Sequence, residues 1–251
     1  LDIKILDAPT HAANLPVAMI PNCAATRHAH FVLDGSGPAK LEPPNLDDWP
    51  KVAWAPDEAV AKRGNWGRSM PKGTAQGIAV HKEYKGCTAV LVEIDCRPRT
   101  VNRKVRNAVT GPRVTKAVIA VDAGLVINPI GLEAQMQGGF MDGLALTLTS
   151  SCHLEDGRFL EASWDNYYYT RQWNVPPQME VIVMDPDVDQ PGGAGEAAVG
   201  SSAAAVACAY ARATGSVPTR FPINHDTISF KPKSFIPPVP KSPTNGLKFT
   251  Y

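Results

Sequence analysis

Glu196 sits in Gly193-Ala194-Gly195-Glu196-Ala197-Ala198, a carboxylate on a glycine-flanked loop that opens into an Ala-rich run over residues 203–213. Glycines let a loop press its backbone against a ligand, and a helix start offers N–H groups that have no partner inside the helix. Both the free N–H groups and the helix dipole favour an ionised carboxylate, so the pattern marks Glu196 as a base rather than an acid. Glutamate in a first helical turn is also an ordinary structural choice, and the loop alone does not separate the two uses.

A second group with chemical potential is Gln135-Met136-Gln137-Gly138-Gly139. It falls inside a helix expected over residues 131–147. Two adjacent glycines cost a helix about 1 kcal/mol each relative to alanine, so they need a packing or ligand reason. Close approach of the backbone to something bulky is the simplest. His28 and His30 alternate on one strand face, a spacing that can ligate metal, but no third ligand accompanies them. Cys23, Cys87, Cys96, Cys152 and Cys208 contain no Cys-x-x-Cys pair and no iron–sulfur spacing. They read as reduced, packed thiols, with one disulfide still open.

The elements that must position these groups follow from residue patterning. A short helix is expected over residues 57–63, before an Asn65-Trp66-Gly67 turn. Strands are expected to begin at Gly77-Ile78-Ala79-Val80-His81 and to cover residues 88–95, 114–121 and 179–184, where β-branched and apolar residues concentrate. Asp156-Gly157 signals a hairpin centred in residues 150–160. Trp164, Tyr167, Tyr168, Tyr169 and Trp173 form an aromatic-rich segment that reads as packing or interface ahead of a substrate pocket.

With 251 residues the chain has room for one large domain or two smaller ones. Its 25 basic and 24 acidic residues nearly cancel, which argues against a nucleic-acid partner. The basic residues between Arg97 and Arg113 are interrupted by Asn, Thr and Gly and read as a solvated connection. No run is long and apolar enough to span a membrane, and the first residues lack a secretory pattern, so any export signal or anchor is expected on another chain. Proline concentrates in residues 38–56 and 232–243, which read as arms that wrap a partner or the domain surface.

Taken in order, four segments resemble the C-terminal part of the molybdenum-binding subunit of the xanthine dehydrogenase and aldehyde oxidase family. They are Val92-Glu93-Ile94-Asp95, Val121-Asp122-Ala123-Gly124-Leu125-Val126-Ile127-Asn128-Pro129, Gln135-Met136-Gln137-Gly138-Gly139-Phe140 and Gly195-Glu196. The similarity covers residues 77–222 and is nearest the isoquinoline 1-oxidoreductase and nicotinate or aldehyde dehydrogenase branch. It implies an α+β fold of mixed β-sheets and short helices. In that division residues 1–76 form a Pro-rich arm with a short helix, 77–222 the molybdopterin-binding portion, and 223–251 a Pro-rich tail.

The resemblance also implies a molybdopterin cofactor in its cytosine dinucleotide form, whose dithiolene holds molybdenum without a protein ligand. Glu196 is then the general base that takes a proton from the metal's hydroxide. Gln135 is the uncharged amide donor beside the metal's oxo group, and Gly138, Gly139 and Gly195 are points of close backbone approach. Ala197 stands where many relatives carry proline. Ser201 and Ser202 either reach phosphate or pterin edges or serve as small packing residues.

A whole molybdenum subunit of this family is several times longer than the matching segment. The chain therefore reads as one piece of such a subunit, completed by another chain and serving a small-molecule substrate, an aldehyde or an N-heteroaromatic ring. Electrons would leave to [2Fe-2S] clusters on an iron–sulfur subunit and on to a cytochrome subunit, in a periplasmic or membrane-associated complex, the alternative being cytoplasmic. The rival reading is a noncatalytic assembly subunit.

Overall fold

In a computed structural model of the protein, the described residues are 31–32, 40–41, 55–83, 86–106, 109–186, 188–226, 228 and 230–231. His28, His30, Cys23 and nearly all of both Pro-rich arms lie outside them. Two short strands, β1 (Phe31–Val32) and β2 (Lys40–Leu41), pair antiparallel.

The central sheet contains β3 (Thr74–Glu83), β4 (Gly86–Asp95), β5 (Arg113–Asp122) and β8 (Gln178–Val183), in that order. The first three run antiparallel and β8 joins β5 in parallel, so the sheet is mixed, as an α+β chain requires. The strand expected from Gly77 starts three residues earlier, because Thr74, Ala75 and Gln76 pair with Asp95, Ile94 and Glu93.

Strand β4 is buried along its whole length, the pattern of a strand covered on both faces. Side-chain alternation shows what covers each face. Helix α1 (Ala55–Gly64) comes so close that a Cβ on Gly64 would sit 2.6 Å from the Leu91 side chain, so α1 lies on the Leu91 face. Gly77 pairs with Val92 on the other face, where a Cβ would stand 2.1 Å from the carbonyl oxygen of Ala205. Helix α4 (Ala197–Thr214) thus lies on that face, and Gly77 is small because a helix backbone occupies the space above it. Val60 of α1, Val90, Leu91 and Ile119 of the sheet, and Ala205 and Ala209 of α4 belong to one continuous core.

Between β5 and β8 the chain makes a long crossover. It contains α3 (Pro129–Leu148) and a hairpin of β6 (Leu154–Glu155) and β7 (Arg158–Phe159). The hairpin turn places Asp156 at φ 49° and Gly157 at φ 74°, the left-handed pair that a two-residue connection needs.

The basic segment is largely exposed, with Arg99, Arg103, Lys104 and Arg106 on the surface, but it is more structured than a plain solvated connection. Arg97 pairs with Asp95, residues Pro98–Val101 form a short helix α2, and Arg103 and Arg113 both lie over the Trp173 ring, 4.6 and 4.1 Å from its centroid. The aromatic segment is divided. Tyr168 is buried, whereas Trp164 and Tyr169 are exposed, and Trp164 meets Tyr167 edge-on at 5.8 Å. Cys152 is likewise exposed, unlike the packed thiol expected from sequence, while Cys87 is buried.

Candidate functional site

Helix α3 starts two residues before the expected position 131, because Asn128 and Pro129 supply its cap and first turn. The Asn128 side chain accepts a hydrogen bond from the Gly131 N–H at 3.0 Å, and Pro129 occupies the first turn. Helix α4 starts directly after Glu196 and ends at Gly215, which adopts φ 75°. The two helices pack side by side through small residues. A Cβ on Gly139 would lie 3.2 Å from that of Ala198, and one on Gly143 would lie 2.4 Å from the Val199 carbonyl oxygen. Gly139 is therefore accounted for by helix packing, and Gly143, which the sequence did not single out, is the tighter contact.

This packing brings together residues 60 positions apart. The Gln135 side-chain amide donates to the Gly195 carbonyl at 2.5 Å. Glu196 follows at once as the N-cap of α4, with φ −121° and ψ 3°, and its own carbonyl accepts from the Val199 N–H at 2.9 Å. Its side chain makes no capping bond, is exposed, and has no hydrogen-bond or ionic partner among the described residues. Gly138 and Gly195 are exposed on the same two segments, and a Cβ on either would meet nothing within 4 Å. Gln135, Gly138, Gly195 and Glu196 thus contribute to an open rim.

The loop that delivers Glu196 is tied to the end of β5. The Leu125 N–H donates to Gln190 at 3.1 Å, the Gly192 N–H donates to Ala123 at 2.7 Å, and Gly124 bridges to Pro191. Asp122 holds the same corner by accepting from the Gly124 N–H at 3.0 Å. The segment around Asp122 to Asn128 therefore serves both ends of the rim: it anchors the Glu196 loop and caps the helix that carries Gln135.

The other sequence candidates sit behind the rim. Ala197 is buried as the first residue of α4. Ser201 is buried, with its hydroxyl donating to the Ala197 and Ala198 carbonyls at 3.3 and 3.4 Å. Ser202 is buried as well, and its hydroxyl has no partner among the described residues.

A second polar cluster was not anticipated. His153 binds the buried Glu161 through its ring at 2.5 Å and through its backbone N–H, and bonds the His225 carbonyl with its other ring nitrogen. The two imidazoles stack with centroids 4.7 Å apart, and Ser151 bonds the His225 ring. Burial opposes charging His153, but its bonds to Glu161 and to the His225 carbonyl outweigh that and raise its pKa. Burial likewise pushes Glu161 upward, and the bonds from His153 overcome it and lower the carboxyl. The hairpin turn at Asp156-Gly157 is the sequence signal that brings His153 near Glu161. No local pattern announces His225, which arrives from 72 residues away. The cluster fastens the segment after α4 to the exit of α3.

The molybdopterin cofactor-binding domain family model matches residues 23–176, more than half of the chain. The chain belongs to this family. Within the molybdopterin-binding domain the matched span includes Gln135, Gly138 and Gly139 and stops before Glu196. A fumarate hydratase model also matches residues 1–32, a span that shares no residue with the rim.

Among curated relatives, a nicotinate dehydrogenase subunit of Pseudomonas putida is 30% identical over 115 residues, 46% of this chain and 10% of that protein. A probable xanthine dehydrogenase subunit of Bacillus subtilis is 29% identical over 146 residues, 57% of this chain and 18% of the relative. A membrane-bound aldehyde dehydrogenase (pyrroloquinoline-quinone) of Gluconacetobacter polyoxogenes is 28% identical, with 55% of this chain aligned to 17% of it. The chain thus spans less than a fifth of the length of each of these relatives. Among solved structures, quinoline 2-oxidoreductase from Pseudomonas putida 86 aligns with a TM-score of 0.42 and 27% identity over 52% of this chain and 16% of that one. Aldehyde oxidoreductase from Desulfovibrio gigas aligns with a TM-score of 0.45 and 20% identity over 55% and 14%.

Proposed function

We propose that this chain forms one wall of the molybdenum site of a hydroxylase, which oxidises an aldehyde or a ring carbon next to nitrogen with oxygen taken from water. The observation that carries the reading is the hydrogen bond from Gln135 to Gly195, which joins the family's α3 segment to an uncommitted carboxylate at the start of α4.

The residues fit a molybdopterin. A cofactor that holds its metal through its own sulfur atoms asks the protein for an open rim, small residues and polar side chains. Gly138 and Gly195 leave the space, and Gln135 and Glu196 supply the polar groups. When bound, the cofactor supplies the two-electron oxidation and the activation of water. The chain's own work is positioning and proton transfer. Glu196 accepts a proton on a carboxylate oxygen, with its backbone held on both sides. Gln135 has a second amide N–H for an oxygen acceptor and brings no charge with it. Gly139 sets the distance between α3 and the first turn of α4, and the buried Ala197 and Ser201 support that turn from within, the Ser201 hydroxyl bonding carbonyls of its own helix.

The same reading assigns the cytosine dinucleotide form of the cofactor and [2Fe-2S] clusters on a separate subunit. The remaining chain of the molybdenum subunit, the iron–sulfur subunit and a cytochrome subunit are its partners, in a periplasmic or membrane-associated complex. Support for partners comes from the relatives named as subunits and from the small share of their length that this chain covers.

The test is Glu196→Gln in the assembled enzyme, assayed with an aromatic aldehyde and a dye acceptor. Turnover should fall about 10²–10⁴-fold, the usual contribution of a positioned base, with molybdenum content unchanged. Undiminished turnover would remove the base assignment and favour a noncatalytic assembly role.

A further inference from the structure

We infer that Gln135 is a positioning residue for Glu196: by holding the Gly195 carbonyl it fixes the peptide plane from which the carboxylate projects. The inference rests on the reading of Glu196 as the base. It concerns one of the two hydrogens on the Gln135 Nε2, the other being the donor that would face a cofactor.

The loop is held at both of its ends. Residues up to Gly192 are fastened to the end of β5 by the Gly192 N–H bond to Ala123 and by the Gly124–Pro191 bridge. From Val199 onward the chain is helical, and the Val199 N–H holds the Glu196 carbonyl at 2.9 Å. Between these anchors lie Gly193, Ala194 and Gly195, two of them glycines with the widest backbone freedom. Among the described residues, the Gln135 amide makes the one hydrogen bond that reaches this stretch, at 2.5 Å.

The bond falls at the position that matters. The Gly195 carbonyl belongs to the peptide unit that ends at the Glu196 nitrogen, so holding it restrains ψ of Gly195 and φ of Glu196, observed at −121°. The next peptide unit is held by the helix start. With both flanking planes fixed, the direction of the Glu196 Cα–Cβ bond is set and only its side-chain torsions remain free. The donor is steady in turn, because α3 is capped by Asn128 and packed on α4 through Gly139 and Gly143. Without the amide, a glycine whose Cβ position is open space has nothing to stop its plane from turning.

The experiment compares wild type with Gln135→Leu in the assembled enzyme. Gln135 is exposed, so its replacement leaves the core intact. Backbone amide exchange at Gly192 and Val199, whose N–H groups hold the two ends of this stretch, measured by mass spectrometry, should rise about tenfold, the size of one exposed hydrogen bond, while exchange in β4 and β5 stays as it was. With an aromatic aldehyde as probe, kcat should fall by about tenfold or more, with KM within about twofold, because the base is displaced and the substrate's contacts are not. Unchanged exchange at Gly192 and Val199 overturns the proposal, and so does a rise in KM at constant kcat. If Glu196→Gln keeps full turnover while Gln135→Leu still loosens the loop, the base reading has failed and the loop contact stands.

Discussion

Two corners of this molecule carry carboxylates, and they are treated in opposite ways. At the end of β4, Glu93 accepts from Arg68 at 3.1 and 2.6 Å and from Gln76 at 3.2 Å. Asp95 there accepts from the Arg97 side chain and backbone and from Thr100, all within 2.6 to 2.9 Å. At the start of α4, Glu196 is held by its backbone on both sides while its carboxylate oxygens have no partner among the described residues. A carboxylate that accepts three or four hydrogen bonds from fixed donors is a strut, held in place by its partners. A carboxylate fixed only through its main chain is free to exchange a proton with whatever enters the rim. Val92-Glu93-Ile94-Asp95 and Gly195-Glu196 are both segments that carry the family resemblance, and the difference in commitment divides them into structure and chemistry.

Substitutions at the two corners should have opposite consequences. Glu196→Gln should cost turnover by the about 10²–10⁴-fold stated above and leave thermal unfolding where it was, because no interaction of that side chain is lost. Glu93→Ala should do the reverse. It strips Arg68 of its two-point anionic partner and leaves the Gln76 amide short of one acceptor. A loss of about 2–3 kcal/mol in unfolding free energy is expected, with turnover per folded enzyme retained. A Glu93 variant that folds normally and does not turn over would reverse the assignment of the two corners.

A third carboxylate sharpens the contrast. Asp57, in the first turn of α1, is buried, and one of its oxygens lacks a partner among the described residues. Burial, with Glu58 beside it, pushes its pKa up to about 6. The folded state therefore binds this proton more tightly than the unfolded chain. The stabilisation is complete below the ordinary carboxylate pKa and is lost as pH rises through about 6. Asp57→Asn should stabilise the protein by on the order of 2 kcal/mol at pH 7.5 and by nothing at pH 4, read from urea midpoints at the two pH values.

The smallest effect belongs to Arg97. Its side-chain bonds, working against burial, hold the Asp95 carboxyl down to about 2. A depressed carboxyl stabilises the fold above its unfolded pKa and loses that contribution as pH falls through the folded value. Arg97→Ala should therefore unfold more readily than wild type at neutral pH, with the gap closing as pH is lowered toward about 2. A gap that stays constant through the acid range would mean that Arg97 acts through packing alone.

Much of the framework was legible because it rests on local rules. The strands over β4, β5 and β8 and the helices α1, α3 and α4 follow from β-branched runs, from the helical pattern over residues 131–147 and from the alanine run after Glu196, whereas the cap at Asn128 and the stop at Gly215 emerge only in the structure. Asp156-Gly157 specified its hairpin because only a few residue pairs tolerate two successive positive φ angles. Other features depended on partners far away in the chain. The guanidinium groups of Arg103 and Arg113 share the face of Trp173, which spacing within the basic segment cannot show. Gly139 and Gly138 are indistinguishable as neighbours in a helix, yet one packs against Ala198 and the other opens to the rim, because successive helical positions point about 100° apart.

The sequence by itself determined which residues are able to act: an acid on a glycine-flanked loop, an amide on a helix, and the small residues beside each. Tertiary structure alone decided that Gln135 and Gly195 meet, that Glu93 is bound while Glu196 is not, and that His225 closes on His153. The physical reason is range. Propensity, capping and turn chemistry act over a few residues, whereas the commitment of a polar atom depends on which donors the packed helices and sheet bring within about 3 Å of it.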